Sequence, residues 1–507
     1  MNAITFCESW QRAVRRAPEA PFLIFETPDG TATSWTYGEF DLTVGRVAHF
    51  LQQNGVTTGS AVHLALTNSP TFVAVWLAAT RLRAWIVPSD PMGTTAELSG
   101  HIARTSPVLG FCARDRARTY RDAAGAMPVF EIDEADTDLA LFGTTVHETW
   151  PVAELRDRAA VMFTSGTTGA PKGVEITQAN YAFAGATMAA AANLGPRHRQ
   201  LVVLPVFHAN AQYYSIASAI SVGASVALMH TFSATRFLEQ AARHGVTHAS
   251  LFAAPIRMIL SRGATPVPGL RLEHCWYAMN ISDDQYEVLS GLLGCRPRQL
   301  YGMTETIPAV LTDRTQNPVP SSMGFVTDGC KVDVQRADGS PTVADEVGEI
   351  VVGGDPGITL FAAYLDDPTT TAASFRNGWL LTGDRARRDE AGRFFFDGRR
   401  ADVLKVAGEN VSTVEVEQVL SAHPAVLEAA VVGMPDEIRD EVPVGFVVAA
   451  DKSNPPTVAE LHAWCAERLT KPKRPRDITL VDELPRTSVG KIRKFLLQDP
   501  SAERISA

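Results

Sequence analysis

No stretch of this sequence is long and apolar enough to cross a membrane. Its most apolar run, Phe72 to Ala79, is followed by Arg81 and Arg83, far short of the roughly 20 apolar residues a spanning helix requires; it reads as a buried helix. The first ten residues, Met1 to Trp10, hold Glu8 and no apolar run of signal-peptide length, so no secretion signal is read there. Cysteine is sparse. Cys7, Cys112, Cys275, Cys295, Cys330 and Cys465 form no CxxC and no paired Cys/His spacing, which argues against a zinc site and a disulfide framework and makes the cytoplasm the expected compartment. Basic residues do not dominate either. A formal charge of −10 argues against a general nucleic-acid-binding surface, because phosphate backbones are held by clustered Lys and Arg. Any anionic ligand must meet a local basic site; Lys471, Lys473, Arg474 and Arg476 are one candidate, or simply a solvated basic face.

What is present is an ordinary globular composition, 45% hydrophobic and 20% charged over 507 residues, too long for one core and enough for two or more domains. From about Ser34 to Leu300, helices alternate with short apolar strands, the pattern of an α/β fold with largely parallel sheets. Pro70 to Leu82 is expected as a helix capped by Asn68-Ser69, Trp85 to Val87 as a strand, and Leu201 to Leu204 as another. After about Val319 short strands with Gly and Asp turns, such as Gly348-Glu-Ile-Val-Val352, indicate a β-rich subdomain. A charged, polar stretch from Arg399 to Lys405 then separates residues 1–400 from a smaller α+β domain, 401–507. Within it Val414–Leu420 and Val458–Leu469 read as helices and Ala429–Val432 as a strand.

The segment with most chemistry is Thr164-Ser-Gly-Thr-Thr-Gly-Ala-Pro-Lys-Gly173, preceded by the apolar Ala159 to Phe163. Its glycines and hydroxyls can bring N–H and O–H donors around phosphate oxygens, and Lys172 adds a charge. The spacing is not that of the common P-loop, since Pro171 precedes the lysine and Gly173 follows it. Alone, the segment would read equally well as a flexible surface loop.

It resembles the signature loop of the adenylate-forming superfamily, which includes acyl-CoA synthetases, peptide-synthetase adenylation domains and luciferases. Further motifs follow in that family's order: Tyr301-Gly-Met-Thr-Glu305, Thr382-Gly-Asp384, Gly398-Arg399 with Asp402, Lys405-Val-Ala-Gly-Glu-Asn410 and Pro485-Arg-Thr-Ser-Val-Gly-Lys491. The resemblance covers nearly the whole chain. It implies a carboxylic acid attacking the α-phosphorus of ATP, with Mg²⁺, followed by transfer of the acyl group to coenzyme A. Charge must be neutralised while two anions are brought together. By the resemblance, Thr164, Ser165, Gly166, Thr167, Thr168, Gly169 and Lys172 would hold the phosphates. Tyr301 and Gly302 would lie against the adenine, Thr304 would touch the α-phosphate, and Glu305 would hold Mg²⁺. Asp384 would accept from the ribose hydroxyls, with Arg399 beside it. Lys491 would be the catalytic lysine of adenylation. The small domain would then pivot at Asp402 and bring Lys405, Gly408, Glu409 and Asn410 to a pantetheine tunnel. Singly, each has a plainer reading: Glu305 a surface carboxylate, Tyr301 a core aromatic, Asp384 a turn residue, Lys491 a solvated tail, Asp402 an exposed loop acid.

Phe207-His208 matches the aromatic-His element of acyl- and aryl-CoA synthetases, placing both at the acyl pocket with a site role for His208. Trp276-Tyr-Ala-Met-Asn-Ile-Ser282, Gly302 to Ile307 and Ile438-Arg-Asp-Glu441 look most like the crotonobetaine/carnitine-CoA ligase branch. Asn210, Gln212, Tyr213 and Asn280, with Met303 alongside, would give a partly polar pocket suited to a small functionalised acid, or they are satisfied core groups. The acceptor stays open between coenzyme A, an acyl carrier protein and another nucleophile. A non-catalytic nucleotide- or acyl-binding regulator is the reading from another class; the oligomeric state is not legible.

Overall fold

The computed structural model describes residues 3–145, 149–164, 171–278, 281–399, 403–406, 409–436, 439–486 and 492–498. The helix expected after Ser69 runs Pro70–Arg81. Ser69 accepts the Phe72 N–H through its side chain, Pro70 fills the first turn where no N–H partner is needed, and every residue is buried. Burying Phe72, Val73, Val75, Trp76 and Leu77 contributes about 1.5–3 kcal/mol each. The helix stops where Arg83 enters the left-handed region at φ 57°. Arg81, at its end, is buried against Asp41 and lies 5.5 Å from the centre of the Trp150 ring. Removed from water, it is held by charge and by the ring face.

Three sheets organise the described residues, giving a mixed α/β architecture. A six-stranded sheet runs Val129–Ile132, Leu109–Ala113, Ala61–Ala65, Trp85–Pro88, Arg158–Thr164, Lys172–Thr177. It is parallel throughout except for the closing pair, which is antiparallel. A larger sheet begins as a parallel run of Pro21–Glu26, Ser225–Met229, Arg199–Val202, His248–Phe252, His274–Ala278 and Arg298–Tyr301. It continues antiparallel through Leu311–Thr312, Ser322–Val326, Phe394–Arg399, Trp379–Arg388 and Gly348–Gly353. This second half is the β-rich region expected after Val319.

The third sheet lies wholly C-terminal to Asp402. It joins Glu409–Ser412, Val403–Val406, Asp440–Ala449 and Val426–Asp436, with Asp477–Leu480 parallel to the third of these. Helices Thr413–Ser421 and Val458–Arg468 cover it, burying Val416, Leu420, Leu461 and Cys465. Among the described residues no helix is long and apolar enough to cross a membrane.

Candidate active site

Four neighbouring strands of the large sheet, Arg199–Val202, His248–Phe252, His274–Ala278 and Arg298–Tyr301, run parallel. Their C-terminal ends therefore open on one edge, the edge where ligands bind in open parallel sheets. Beyond the first strand come Phe207, His208 and Asn210; beyond the last come Gly302, Met303, Thr304 and Glu305. The backbone forces close packing at this edge. A Cβ built on Gly302 would lie 2.9 Å from Ala309 Cα, from Pro308 O and from Tyr214 Oη, so only glycine fits. Thr304–Thr306 form a short 3-10 turn, and buried Ile307 follows at φ 72° and ψ −77°. That conformation is strained for a β-branched side chain, and such strain concentrates at functional sites.

One corner gathers three of the residues marked by the motifs. Asp384 is paired directly across the strands with Arg399 and is only 3% exposed. Tyr301 Oη donates to its Oδ2 at 2.7 Å and Arg399 Nε donates to its Oδ1 at 2.9 Å. Burial, then the Asp384 charge, pushes the Tyr301 phenol well above its ordinary range, so Tyr301 keeps its proton and donates it to Asp384. The result is a buried carboxylate facing hydrogen-bond donors.

A second corner forms where the closing hairpin of the six-stranded sheet meets the Glu305 turn. Thr164 and Lys172 face each other in register, flanking the 165–170 segment that lies outside the described residues. The piece Phe361–Leu365 clips the two parts together. Leu365 N–H donates to Gly173 O at 2.7 Å, Glu175 N–H to Ala363 O at 2.9 Å, and Phe361 N–H to Glu305 O at 3.0 Å. Tyr364 is thereby placed between them. Its hydroxyl donates to Glu305 Oε1 at 2.9 Å, and Lys172 Nζ stands 4.8 Å from the centre of its ring. Burial first, then the Glu305 charge, raises the Tyr364 phenol. Glu305 is 4% exposed: an anionic oxygen donor and a cation share this corner with one aromatic ring between them.

A third group lies past the Arg199–Val202 strand: Phe207 is buried, and the His208 ring lies 4.4 Å from that of Phe207. Asn210–Ile216 form a π-helical turn, a geometry frequent at functional sites. Gln212 is spent on structure, accepting from Tyr181 and donating to Val206 O at 2.6 Å. Asn210 and Tyr213 are not. Among the described residues the amide nitrogen and oxygen of Asn210 and the hydroxyl of Tyr213 are buried without a partner, an arrangement that costs about 1–3 kcal/mol for each group unless something else meets it.

Ser165, Gly166, Thr167, Thr168, Gly169, Asn280, Asp402, Gly408 and Lys491 lie outside the described residues. Lys405, Glu409 and Asn410 sit on the hairpin Val403–Val406 and Glu409–Ser412, in register with Lys405 opposite Asn410; their side chains are likewise outside. The ends of the lysine-bearing segment are placed: Arg486 bridges Ile492, and Arg493 N–H donates to Pro485 O at 2.7 Å. Tyr364 escaped the sequence reading. It stands in no motif, and only its spacing from Gly173 across the sheet edge reveals it.

This edge, with a buried carboxylate among donors and a cation beside a second carboxylate, is that of a nucleotide-using enzyme. The chain belongs to the AMP-binding enzyme family, whose family model matches residues 10–365, and the model of the family's C-terminal domain matches residues 415–491. It is 31% identical over 490 residues to the crotonobetaine/carnitine–CoA ligase of Salmonella heidelberg (strain SL476), covering 93% of this chain and 94% of that protein. Among solved structures it resembles ATP-bound MatB from Rhodopseudomonas palustris, with TM-score 0.87, 25% identity and 99% of each chain covered. It is similar also to the o-succinylbenzoate CoA synthetase of Bacillus subtilis in complex with its acyl-adenylate, with TM-score 0.84, 27% identity and 98% and 99% coverage.

Proposed function

We propose that this AMP-forming acid–coenzyme A ligase activates a small carboxylic acid carrying a second polar group, working at the C-terminal edge of the large sheet. In the first half-reaction a carboxylate oxygen bonds to the α-phosphorus of ATP while the α–β bond breaks, and pyrophosphate leaves with the electron pair. In the second, the thiol sulfur attacks the acyl carbon and AMP leaves. The observation that carries the reading is the pair of corners on one edge: Asp384 with Tyr301 and Arg399, and Lys172 with Tyr364 and Glu305.

Asp384 would accept from the ribose hydroxyls, with Arg399 and Tyr301 orienting its carboxylate. Lys172, with Thr164 and residues 165–169, would neutralise the phosphates, and Thr304 would meet the α-phosphate. Glu305 fits Mg²⁺: it is a buried, hard oxygen donor whose carboxylate is oriented by the Tyr364 hydroxyl. An ion there would rest on Glu305 and phosphate oxygens, the usual arrangement for Mg²⁺, and would supply charge neutralisation. Asn210 and Tyr213 would meet the polar group of the acid, with Phe207, His208, Asn280 and Met303 around them. We assign the boundary of the two domains to residue 400, the pivot to Asp402, and the thiol approach to Lys405, Gly408, Glu409 and Asn410. We place the enzyme in the cytoplasm, where its free cysteines would stay reduced.

The test is pyrophosphate release from ATP and Mg²⁺ across small polar, aryl and medium-chain acids, with and without coenzyme A. Release that depends on one class of small polar acid, with the thioester seen by mass, supports the reading. Preference for unsubstituted medium chains overturns the assignment of Asn210 and Tyr213. Lys491→Ala should lose pyrophosphate release by roughly 100-fold or more and keep thioester formation from preformed acyl-AMP; equal loss of both overturns the role of the lysine.

A further inference from the structure

The C-terminal sheet touches the large sheet region through a charged contact that none of the steps above uses. Glu428, on strand Val426–Asp436, is 8% exposed. Arg257, on helix Ala253–Ser261 of the large region, reaches Glu428 Oε2 at 3.5 Å. Arg486 donates to that same oxygen. One buried carboxylate thus bridges a helix on one side of the interface and, on the other, the residue that opens the segment ending in Lys491. The three charges line a cavity of about 450 Å³ that reaches Phe207 and Asn68, so the contact stands beside the acyl side of the site. Burial draws the Arg257 guanidinium down while Glu428 draws it back up, as expected where the carboxylate is what keeps the arginine inside.

Arg493 follows Ile492, whose bridge to Arg486 folds the segment back on itself. The Glu97 carboxyl, at the start of helix Thr95–Thr105, is lowered chiefly by the Thr94 N–H, and the Arg493 charge adds to the lowering. The near flank of the segment, Arg486, is thus tied to the large region through Glu428 and Arg257.

We propose that Arg257 and Glu428 are positioning residues for the adenylation half-reaction: their contact fixes the C-terminal sheet so that the segment containing Lys491 is presented to the ATP site, and it breaks for the second half-reaction. With Arg257 truncated, Glu428 keeps Arg486 within the C-terminal part but loses its tie to the large region, whereas Glu428→Gln removes the shared carboxylate from both arginines. The contact is thus a switch between registers of the two parts. The proposal rests on the assignment of Lys491 above.

The experiment measures both half-reactions in the full-length enzyme, using the acid with the fastest pyrophosphate release in the panel. Arg257→Ala and Glu428→Gln should each lower pyrophosphate release by roughly tenfold or more and change thioester formation from preformed acyl-AMP by less than about twofold. Arg257→Lys, which keeps the charge, should recover part of the loss. Without any substrate, Arg257→Ala should speed amide hydrogen exchange in peptides spanning 485–493. Equal loss in both half-reactions, no loss in either, or unchanged exchange would overturn the proposal. Lys491→Ala is the control that separates the two claims. If it releases pyrophosphate normally, the lysine assignment fails and takes the proposal with it. If it fails as expected while Arg257→Ala behaves like the native enzyme, the proposal alone is wrong.

Discussion

Tyr364 joins two chemically opposite groups with one side chain. Its ring faces Lys172 and its hydroxyl holds Glu305. Tyr364→Phe keeps the ring and removes only the hydrogen bond to a carboxylate, an interaction of about 1.5–3 kcal/mol. Acid-dependent pyrophosphate release should fall roughly tenfold, with the unfolding temperature nearly unchanged and the apparent affinity for Mg²⁺ altered more than that for the acid. Normal kinetics at all Mg²⁺ concentrations would show that Tyr364 does not orient Glu305. The contrast with its neighbours shows what sequence can reveal at this scale. Tyr301, Asp384 and Arg399 stand in motifs, and the structure brings them within hydrogen-bonding distance. Tyr364 is an aromatic among aromatics, and its neighbours are set by the bridge between Val174 and Tyr364, a pairing that no local pattern encodes. Gln212 illustrates the reverse. A polar residue in a candidate pocket segment looks like a ligand contact until its amide is seen spent on Tyr181 and Val206.

Among the elements, the Pro70–Arg81 helix was legible because cap, proline and apolar face all agree. The strand expected at Leu201–Leu204 instead spans Arg199–Val202. Leu204 O accepts from the Asn68 side chain at 3.1 Å and Val206 N–H donates back to that amide at 2.8 Å, which pulls the chain out of the ladder toward the site. The strand expected at Ala429–Val432 runs Val426–Asp436; Glu428 sits inside because arginines distant in sequence neutralise it. The π-helical turn Asn210–Ile216 has no signature that separates it from an α-helix. Its position depends on Gly185, where an added Cβ would come within 2.5 Å of Ala217 O and 2.8 Å of Ala217 C. Gly185→Ala must push helix Gln178–Ala191 away from helix Ala217–Val222. We expect a loss of about 1–3 kcal/mol, typical of overpacking, read by denaturant unfolding. Because Tyr213 lies in the turn leading into Ala217, the KM for the acid should rise more than that for ATP. Full stability with an unchanged KM would mean that the close approach does not set the pocket.

Over the whole molecule, burial of neutral histidines ties stability to pH. His63 is held to about 3 by burial, with the nearby His101 adding to the effect. It lies between the Tyr120 hydroxyl at 2.7 Å and Ser89 at 3.0 Å. His101 is lowered to about 4, again mainly by burial, with Glu97 opposing and Arg104 assisting; its ring stacks on Phe163, 4.0 Å away, in the hairpin of Arg158–Thr164 and Lys172–Thr177. His248 is lowered to about 4 by burial, against the carbonyl of Ala192. Each of these groups binds a proton in the unfolded chain near its ordinary value of 6.5 but not in the folded one until far lower pH. The unfolded state therefore holds more protons in that window, and stability rises with pH there. The stabilisation is complete above 6.5 and is lost as pH falls toward 4, by up to about 1.4 kcal/mol per pH unit for each histidine. Between pH 6.5 and 5.5 nearly all carboxylates remain ionised in both states, so the upper part of this interval isolates the histidines, and below it the paired carboxylates add to the slope. The unfolding temperature should hold steady from pH 8 to 7 and fall progressively from 6.5 to 4.5, and His248→Gln should flatten part of that slope. A transition independent of pH across the interval would mean that these rings gain water or a carboxylate partner when protonated, and that the core around them yields more readily than its packing implies.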